Sequence, residues 1–199
     1  MIRAVSESFP IQPFIKMRQE GSLSDSCLPA MNRFSMITIQ SSDLRHIDAI
    51  MAIYERAREF MRIHGNPSQW REGYPPRDQI VAEIAAGCHF SCFCDGNLVG
   101  VFSFIKGEDP TYAYIKEGAW PNDEPYGTIH RLASAGVMPG VASACIAWCA
   151  ARCKQLRADT HRDNLVMQHI LQRHGFVRCG IIYVQNGSER IAYQRVGCL

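Results

Sequence analysis

The stretch from Tyr126 to Phe176 constrains the fold more than any other part of the chain. An apolar strand pattern is followed by a turn that contains Gly136 and Gly140, then by a helical pattern, a second strand and a second helix. Glycine lets a turn adopt positive φ and lets an anion approach main-chain N–H groups that a Cβ would shield. The first turn of a helix adds unsatisfied N–H donors and the positive end of its dipole. The sequence therefore predicts an α/β arrangement in which this turn can hold a phosphate.

The helix after the turn is predicted from its apolar spacing. Pro139 suits the first turn of a helix, where its missing N–H is not needed. Apolar residues then recur near helical spacing at Val141, Cys145, Trp148, Cys149 and Leu156. This spacing predicts a helix of about five turns. Strand, glycine turn and helix are common in α/β proteins, so the pattern taken alone also fits a purely structural turn.

A second motif follows, and the two together carry a family resemblance. The chain continues Ala158-Asp159-Thr160-His161-Arg162-Asp163-Asn164, and its next helix closes with Gly175-Phe176. Gly140-Val141-Ala142-Ser143 resembles the tail of the phosphate turn in the GNAT superfamily of acyl-CoA-dependent N-acetyltransferases, and Asn164 with Gly175-Phe176 resembles that family's second motif. The phrases from Tyr126 to Ser134 and from Thr111 to Trp120 resemble a bacterial subgroup of the same family. The resemblance covers about Met36 to Val196.

The resemblance implies a fold class and a co-substrate. The fold is expected to be a GNAT-like mixed, largely antiparallel sheet of roughly six to seven strands, flanked by about four helices, with a splayed central strand pair. Acetyl-CoA is expected as co-substrate, with no metal. The expected acetyl-CoA contacts are Leu132, Ala133, Ser134, Val137, Gly140, Val141, Ala142, Ser143, Asn164, Met167 and Arg173. Among them, backbone N–H groups of residues 132–134 are expected to bind the thioester oxygen, and Arg173 is expected to reach a phosphate.

Two positions depart from the family pattern. The phosphate turn usually begins with Gln or Arg three residues before its first glycine, and Val137 stands there. One phosphate contact is therefore expected to be missing. The second helix usually carries a Tyr, the general acid for the departing thiolate, four residues before its closing glycine, and Leu171 stands there. An acid from that position is excluded, and Tyr183 is the replacement that we predict.

The candidate general base is His130. Acyl transfer to an amine requires a neutral amine, a donor to the developing oxyanion and an acid for the thiolate. Strict strand alternation would place His130, Leu132 and Ser134 on one face and Arg131 and Ala133 on the other. On that basis either His130 or Arg131 sees the cleft while the other is buried. A hydrogen-bonded core histidine is the alternative role for His130.

The acceptor pocket is predicted from aromatic and acidic residues in loops. Its candidate lining residues are Trp70, Tyr112, Trp120 and Glu124. Exposed aromatic residues in loops also serve as lids or small satellite cores, so this alternative stays open. Tyr112 and Tyr114 alternate as in a short strand.

Charge and cysteine placement favour an anionic co-substrate and no metal. The net charge of the whole chain is only +2, too small to favour nucleic acid as a partner. Residues 139–199 carry a net charge of +5 and residues 36–138 one of −4, and this polarity favours an anionic ligand in the C-terminal part. Nine cysteines occur without a Cys-x-x-Cys pair, and Cys145, Cys149 and Cys153 repeat every four residues as a stripe on one helix. Reduced thiols in the cytoplasm are therefore expected, rather than disulfides or a zinc site.

The chain is predicted to form one domain with an N-terminal extension. With 199 residues, 47% of them hydrophobic and 20% charged, it has the composition of a globular protein. Residues 1–35 are expected to be a loosely ordered extension, with Met36 a candidate natural start, and residues 36–199 a single acyltransferase domain. This extension contains no apolar run long enough to span a membrane. An exposed strand edge at the C-terminal hairpin makes a homodimer plausible.

Two functions from different classes remain open at this stage. The first is transfer of an acetyl group from acetyl-CoA to a primary amine of a small molecule or a peptide terminus, by direct attack in a ternary complex. The second is a catalytically degenerate acyl-CoA-binding protein that acts as a sensor or a partner subunit, since Leu171 and Val137 both depart from the family pattern. Fold and acetyl-CoA binding alone do not identify the acceptor.

Overall fold

One open, mixed sheet organises the part of the chain that the structure, a computed structural model, describes, residues 36–197. The strands are β1 (Thr38–Ser41), β2 (His89–Cys94), β3 (Asn97–Lys106), β4 (Tyr126–Ser134), β5 (Gln155–Thr160), β6 (Val177–Tyr183) and β7 (Glu189–Val196). The helices are α1 (Ile47–Ile63), α2 (Arg77–Ala85), α3 (Val141–Ala150) and α4 (Leu165–Arg173). The strand order is β1-β2-β3-β4-β5-β7-β6. Only β4 and β5 pair in parallel within these residues, so the predicted fold class is confirmed.

The helices cover both faces of the sheet. Val101 of β3 packs in a cluster with residues of α1 and α2, whereas its neighbour Phe102 packs in a cluster with residues of α3 and α4. Because successive strand residues point to opposite faces, α1 and α2 lie on one face and α3 and α4 on the other. The amphipathic pattern of α1 accounts for this packing, with Ile50, Ile53 and Tyr54 buried against the sheet.

Helix α3 is shorter than the apolar spacing predicts. It ends at Ala150, and Leu156 is a fully buried residue of β5 instead of a fifth helical turn. The chain has to leave the helix early so that β5 can begin at Gln155 beside the start of β4. Pro139 also lies before the helix, because Gly140 occupies the N-cap. The prediction of a helix of about five turns was therefore wrong, since a buried strand and a helix share this apolar pattern.

The cysteine stripe is partly confirmed. Cys145 and Cys149 are fully buried on α3, while Cys153 lies beyond its end. Burial raises the pKa of the Cys149 thiol to about 12, which suits a small apolar side chain better than a reactive one. The sulfur of Cys145 lies 3.4 Å from that of Cys92 in the same cluster. The seven cysteines within the described residues are all unpaired.

A long connection, residues 107–125, joins β3 to β4 and folds over the sheet. Lys116 pairs with Ile181 of β6 through main-chain hydrogen bonds. The Arg157 guanidinium lies between the Trp120 and Tyr126 rings, 3.8 Å from each ring centroid. The short strand predicted from Tyr112 and Tyr114 was wrong, because Asp109 caps a 3-10 turn at Pro110–Tyr112 by accepting from the Thr111 N–H.

The predicted extension, residues 1–35, lies outside the described residues. Within residues 36–197, no helix has the length and apolar character needed to cross a membrane. The same residues contain no group of three or more His, Cys, Asp or Glu side chains arranged to hold a metal ion.

Candidate active site

The two central strands separate after three residue pairs. Parallel pairing between β4 and β5 joins residues 126–128 to residues 155–157, and it ends at Thr128 and Arg157. From there β4 continues along β3, and β5 continues along β7 to Thr160. A V-shaped opening therefore lies between residues 129–134 and residues 158–160, as predicted from the family resemblance.

A β-bulge changes which side chains of β4 reach each face. Val101 pairs with Ala133 and Ser103 pairs with His130, so residues 131 and 132 together oppose the single residue 102. Arg131 has a φ of 50°, in the left-handed region that bulky residues seldom adopt. This extra residue interrupts the alternation of the strand.

His130 and Arg131 consequently lie on the same face of the sheet. Ser103, the cross-strand partner of His130, donates to a Glu83 carboxylate oxygen over 2.5 Å, and Arg131 donates to the other oxygen. Glu83 belongs to α2, so all three side chains face the α1 and α2 side. The expectation that His130 and Arg131 face opposite sides was wrong, because one inserted residue shifts the alternation.

The side chain of His130 is hydrogen-bonded to Asp109. The imidazole Nε2 lies 2.9 Å from Asp109 Oδ2, and the two side chains are 16% and 17% exposed. Thr111 donates to the other carboxylate oxygen from both its N–H and its hydroxyl. Asp109 was not among the predicted residues. Its signal in the sequence was Asp109-Pro110-Thr111, the pattern of a capped turn, but nothing in that pattern indicated that β4 would pass beside it.

Electrostatics fixes the roles within this pair. Burial raises the pKa of Asp109, but hydrogen bonds from His130 and Thr111 outweigh that effect and lower the pKa to about 2. The carboxylate is therefore ionised at neutral pH and can only accept hydrogen bonds. Nε2 of His130 must donate to it, which leaves the lone pair of a neutral imidazole on Nδ1. This arrangement suits proton abstraction by Nδ1.

The predicted acceptor residue Tyr112 is buried, with 1% of its surface exposed. Its hydroxyl donates to Asp159 Oδ2 over 2.8 Å, and its ring contacts the rings of His130, Trp120 and Tyr126. Tyr112 thus lies beneath the opening and connects its two sides, from β4 to Asp159 on β5. An open pocket wall at Tyr112, as the sequence led us to expect, does not fit this burial.

The other three predicted pocket residues lie apart. Trp70 is half-buried between Tyr54 and Tyr74 in the connection from α1 to α2. Trp120 is half-buried, with its indole N–H donating to the Tyr112 carbonyl oxygen over 3.0 Å. Glu124 is exposed in the connection 107–125. Trp70 and Trp120 therefore each belong to a small aromatic cluster, and their part in lining an acceptor pocket stays a prediction.

The predicted phosphate turn has the backbone that an anion requires. Gly136 and Gly140 have φ of 74° and 88°, and open space surrounds the position where each Cβ would stand. Gly140 is the N-cap of α3, so the first N–H groups of that helix follow directly. Val137 is 65% exposed at the tip of the turn. Because neither glycine has a Cβ, the main-chain donors of the turn stay open to an anion, apart from the Gly136 N–H, which donates to Ser134.

The remaining predicted contacts around the turn divide into buried and exposed groups. Val141 and Ala133 are buried, whereas Leu132, Ser134, Ala142 and Met167 are half-buried. The Ser134 hydroxyl accepts from the Gly136 N–H over 3.1 Å, and Ser143 Oγ lies 2.9 Å from His174 Nε2 of the α4 cap. Arg173 is exposed in the last turn of α4. Leu132, Val141 and Met167 pack on the α3 and α4 side of the sheet, whereas Ala133 packs on the α1 and α2 side.

Asn164 forms the N-cap of α4. Its Oδ1 accepts from the Met167 N–H over 3.0 Å, and its Nδ2 donates to Gln69 Oε1 over 2.9 Å. The Gln69 carbonyl oxygen in turn accepts from Arg190 of β7. Asn164 thus ties the connection between α1 and α2 to the end of β5, a structural role that the sequence motif did not reveal.

The structure does not bring Tyr183 to the opening. Tyr183 ends the edge strand β6, which β7 separates from β5. Its hydroxyl donates to Glu189 over 3.3 Å, and its ring stacks on Tyr114. Leu171, at the position of the family's acid, is 2% exposed in the main core. Neither residue lies beside His130.

A shallow depression of about 570 Å³ lies away from the opening, on the outer side of α1. Two of its arginines are already paired, Arg58 with Glu55 and Arg77 with Asp48. The splayed strands, rather than this depression, bring titratable groups and main-chain donors together.

Comparison with solved structures identifies the family. An acetyltransferase of the GNAT family from Streptococcus agalactiae is 31% identical, with a TM-score of 0.76 over 82% of this chain and 96% of that chain. A GNAT family acetyltransferase from Bacillus cereus (17% identity, TM-score 0.55, 82% and 99% covered) and an N-acetyltransferase from Staphylococcus aureus (18%, 0.55, 81% and 99%) share the fold. Neither a family model nor a curated protein sequence matches the chain. The extent and identity of the first similarity show that the chain belongs to the GNAT family of acetyltransferases.

Proposed function

We propose that the protein transfers an acetyl group from acetyl-CoA to a primary amine of a small molecule or a peptide terminus, by direct attack in a ternary complex. The observation that carries this proposal is the position of the paired His130 and Asp109 beside the opening between β4 and β5. A base on the α1 and α2 side and a turn with open main-chain donors on the α3 and α4 side leave room for two substrates to meet in the opening.

The proposed roles follow from chemistry that each group can perform. His130 Nδ1 accepts a proton from the acceptor ammonium or from the attacking amine, and Asp109 stabilises the imidazolium that results. Main-chain N–H groups of residues 132–134 stabilise the developing oxyanion. The turn at Gly136 to Ser143 binds the diphosphate of acetyl-CoA, while Arg173, exposed on α4, supplies a cation for a phosphate. Acetyl-CoA supplies the thioester that is consumed.

A second candidate, an acyl-CoA-binding protein without turnover, has one specific observation in its favour. Leu171 is buried where the family's acid would stand, and Tyr183 lies on the edge strand. Such a protein would bind CoA through the same turn but would lack the proton donor for the thiolate.

Release of CoA from acetyl-CoA, measured across a panel of small amines and peptides, tests the two candidates. Turnover that falls about 10²- to 10⁴-fold in His130→Gln, with the KM for acetyl-CoA unchanged, is the expected result. His169→Gln, an exposed histidine on α4, is the matched control. Thermal stabilisation by CoA without turnover of any amine would favour the binding protein instead.

We also propose a cytoplasmic location and a homodimer. The unpaired thiols fit a reducing compartment, and the edge strand β1 and the part of β6 that Lys116 does not cover have main-chain groups that can pair with a second copy. Light scattering of the purified protein tests the second of these proposals.

A further inference from the structure

The guanidinium of Arg131 is unusually placed for a purely structural ion pair. The bulge turns this side chain toward the same face as His130, and only 9% of it is exposed. Nη2 donates to Glu83 Oε1, and Glu83 Oε2 accepts from Ser103 instead of from the second arm of the guanidinium. A carboxylate that only pairs with an arginine commonly accepts two parallel hydrogen bonds from its guanidinium. Glu83 accepts only one from Arg131.

One donor of this buried group has no partner. Arg131 Nε is buried without a hydrogen-bond partner within residues 36–197. Buried donors are almost always paired in folded proteins, so an unpaired one marks a position where an acceptor oxygen of a ligand can bind. Glu83 is already occupied by Gln79, Ser103 and Arg131, and it has no oxygen left in position for Nε.

The group also stays charged. Burial lowers the pKa of Arg131, but the nearby Glu83 carboxylate and Tyr74 hydroxyl outweigh that effect and raise it. A buried guanidinium with a donor to spare selects an oxyanion, and a planar carboxylate fits its geometry best.

We propose that Arg131 binds an anionic group of the acceptor, and that the acceptor is a small amine with a carboxylate a few bonds from its amino group. This inference rests on the proposed function, since it places the amine at His130. His130 and Arg131 are consecutive on one face, and a strand advances about 3.3 Å per residue. Because the base His130 and the anion-binding Arg131 are neighbours, they suit a molecule whose amino group and carboxylate are a few bonds apart. An amino acid meets this requirement, and a long polyamine does not.

The test compares three forms of each acceptor: an L-amino acid, its amide and its decarboxylated amine, at saturating acetyl-CoA. The wild-type protein is expected to use the acid with a kcat/KM at least about tenfold above that of the amide. Arg131→Lys keeps the charge and the Glu83 pair but removes Nε–H, so it should reduce the acid-to-amide ratio at least about fivefold. Arg178→Lys, on the exposed face of β6, should leave the ratio unchanged.

Two results would overturn the inference while leaving the proposed function intact. They are equal use of acid and amide by the wild-type protein, and an equal loss for both in Arg131→Lys. If no amine is turned over, the proposed function fails, and calorimetric titration of the CoA-loaded protein with acid and amide then decides the inference. Arg131→Gln and a thermal melt of each variant separate loss of binding from loss of folding.

Discussion

The Asp109 carboxylate and the His130 imidazole meet at 2.9 Å, although one precedes a 3-10 turn in the connection from β3 and the other lies in the middle of β4. Asp109 is held from several directions, since its side chain accepts from Thr111 and its N–H donates to the Tyr126 hydroxyl over 3.0 Å. The connection between β3 and β4 thus supplies Asp109, which orients His130 on β4.

Asp109→Asn should lower kcat without changing the KM for acetyl-CoA, because the amide cannot hold His130 in the tautomer with a basic Nδ1. We expect a loss of about 10²-fold, smaller than that of His130→Gln. The double variant should lose no more than His130→Gln alone, since the two residues act as a unit. Steady-state kinetics of the four proteins provides this cycle. Additive losses would show that Asp109 acts independently of the imidazole.

Gly140→Ala should weaken CoA binding. Its φ of 88° makes any Cβ strained, and a methyl group would stand in the open space above the N-terminus of α3. Gly187, in the β6 to β7 turn, has a φ of 76° and equally open surroundings, which makes Gly187→Ala a matched control. Both variants should lose about 1 kcal/mol of stability, and only the first should raise the Kd for CoA in calorimetry. Equal affinities would exclude the turn from CoA binding.

Arg157→Lys should destabilise the connection 107–125. Arg157 is 4% exposed, and its guanidinium lies between Trp120 and Tyr126 and donates to Gln194 and to the Asn122 carbonyl. Lysine cannot replace this planar stacking, so we expect a loss of about 2 kcal/mol in denaturant unfolding.

Arg152→Lys is the control for that measurement. Arg152 stacks on Trp148 at 3.6 Å, but it is exposed just beyond the end of α3. Its substitution should cost about 0.5 kcal/mol or less. Similar losses at the two sites would mean that the buried stack adds nothing beyond a surface contact.

The stability of the protein should fall as the pH drops from about 6.5 to about 4, because of His89. Burial lowers the pKa of this fully buried imidazole to about 4, and it lies between Tyr54 and Ser42 at 2.9 and 2.6 Å. Between these pH values the unfolded state binds the proton and the folded state does not, so acid favours unfolding. The shift corresponds to about 3 kcal/mol.

Urea unfolding at a series of pH values measures this dependence. His89→Gln should flatten the stability curve between pH 4 and pH 6.5, whereas the exposed His169→Gln should not. A variant curve parallel to that of the wild-type protein would assign the acid sensitivity to another group.

The sequence predicted the order of strands and helices well, because buried strands, capped helices and glycine turns carry local signals. It located the opening through motifs, and His130 on its strand. It could not locate Asp109 or Glu83, since each meets β4 only through the tertiary fold. The sequence also could not show that His130 and Arg131 lie on one face. The β-bulge that places them there has no periodic signature, because each of its residues is also compatible with a regular strand. Leu156 misled the helix prediction for the opposite reason, as a buried residue that fits two periodicities.

Because of the single extra residue in β4, the directions of its side chains depend on the number of residues in the strand. Deleting one residue at position 131 or 132 would restore regular pairing with β3, so the residue after His130 would point to the opposite face while Ala133 would stay opposite Val101. Homologues should therefore vary here by substitution and keep the residue count. A gap in an alignment at this point would mark a relative in which the chemistry has been reorganised.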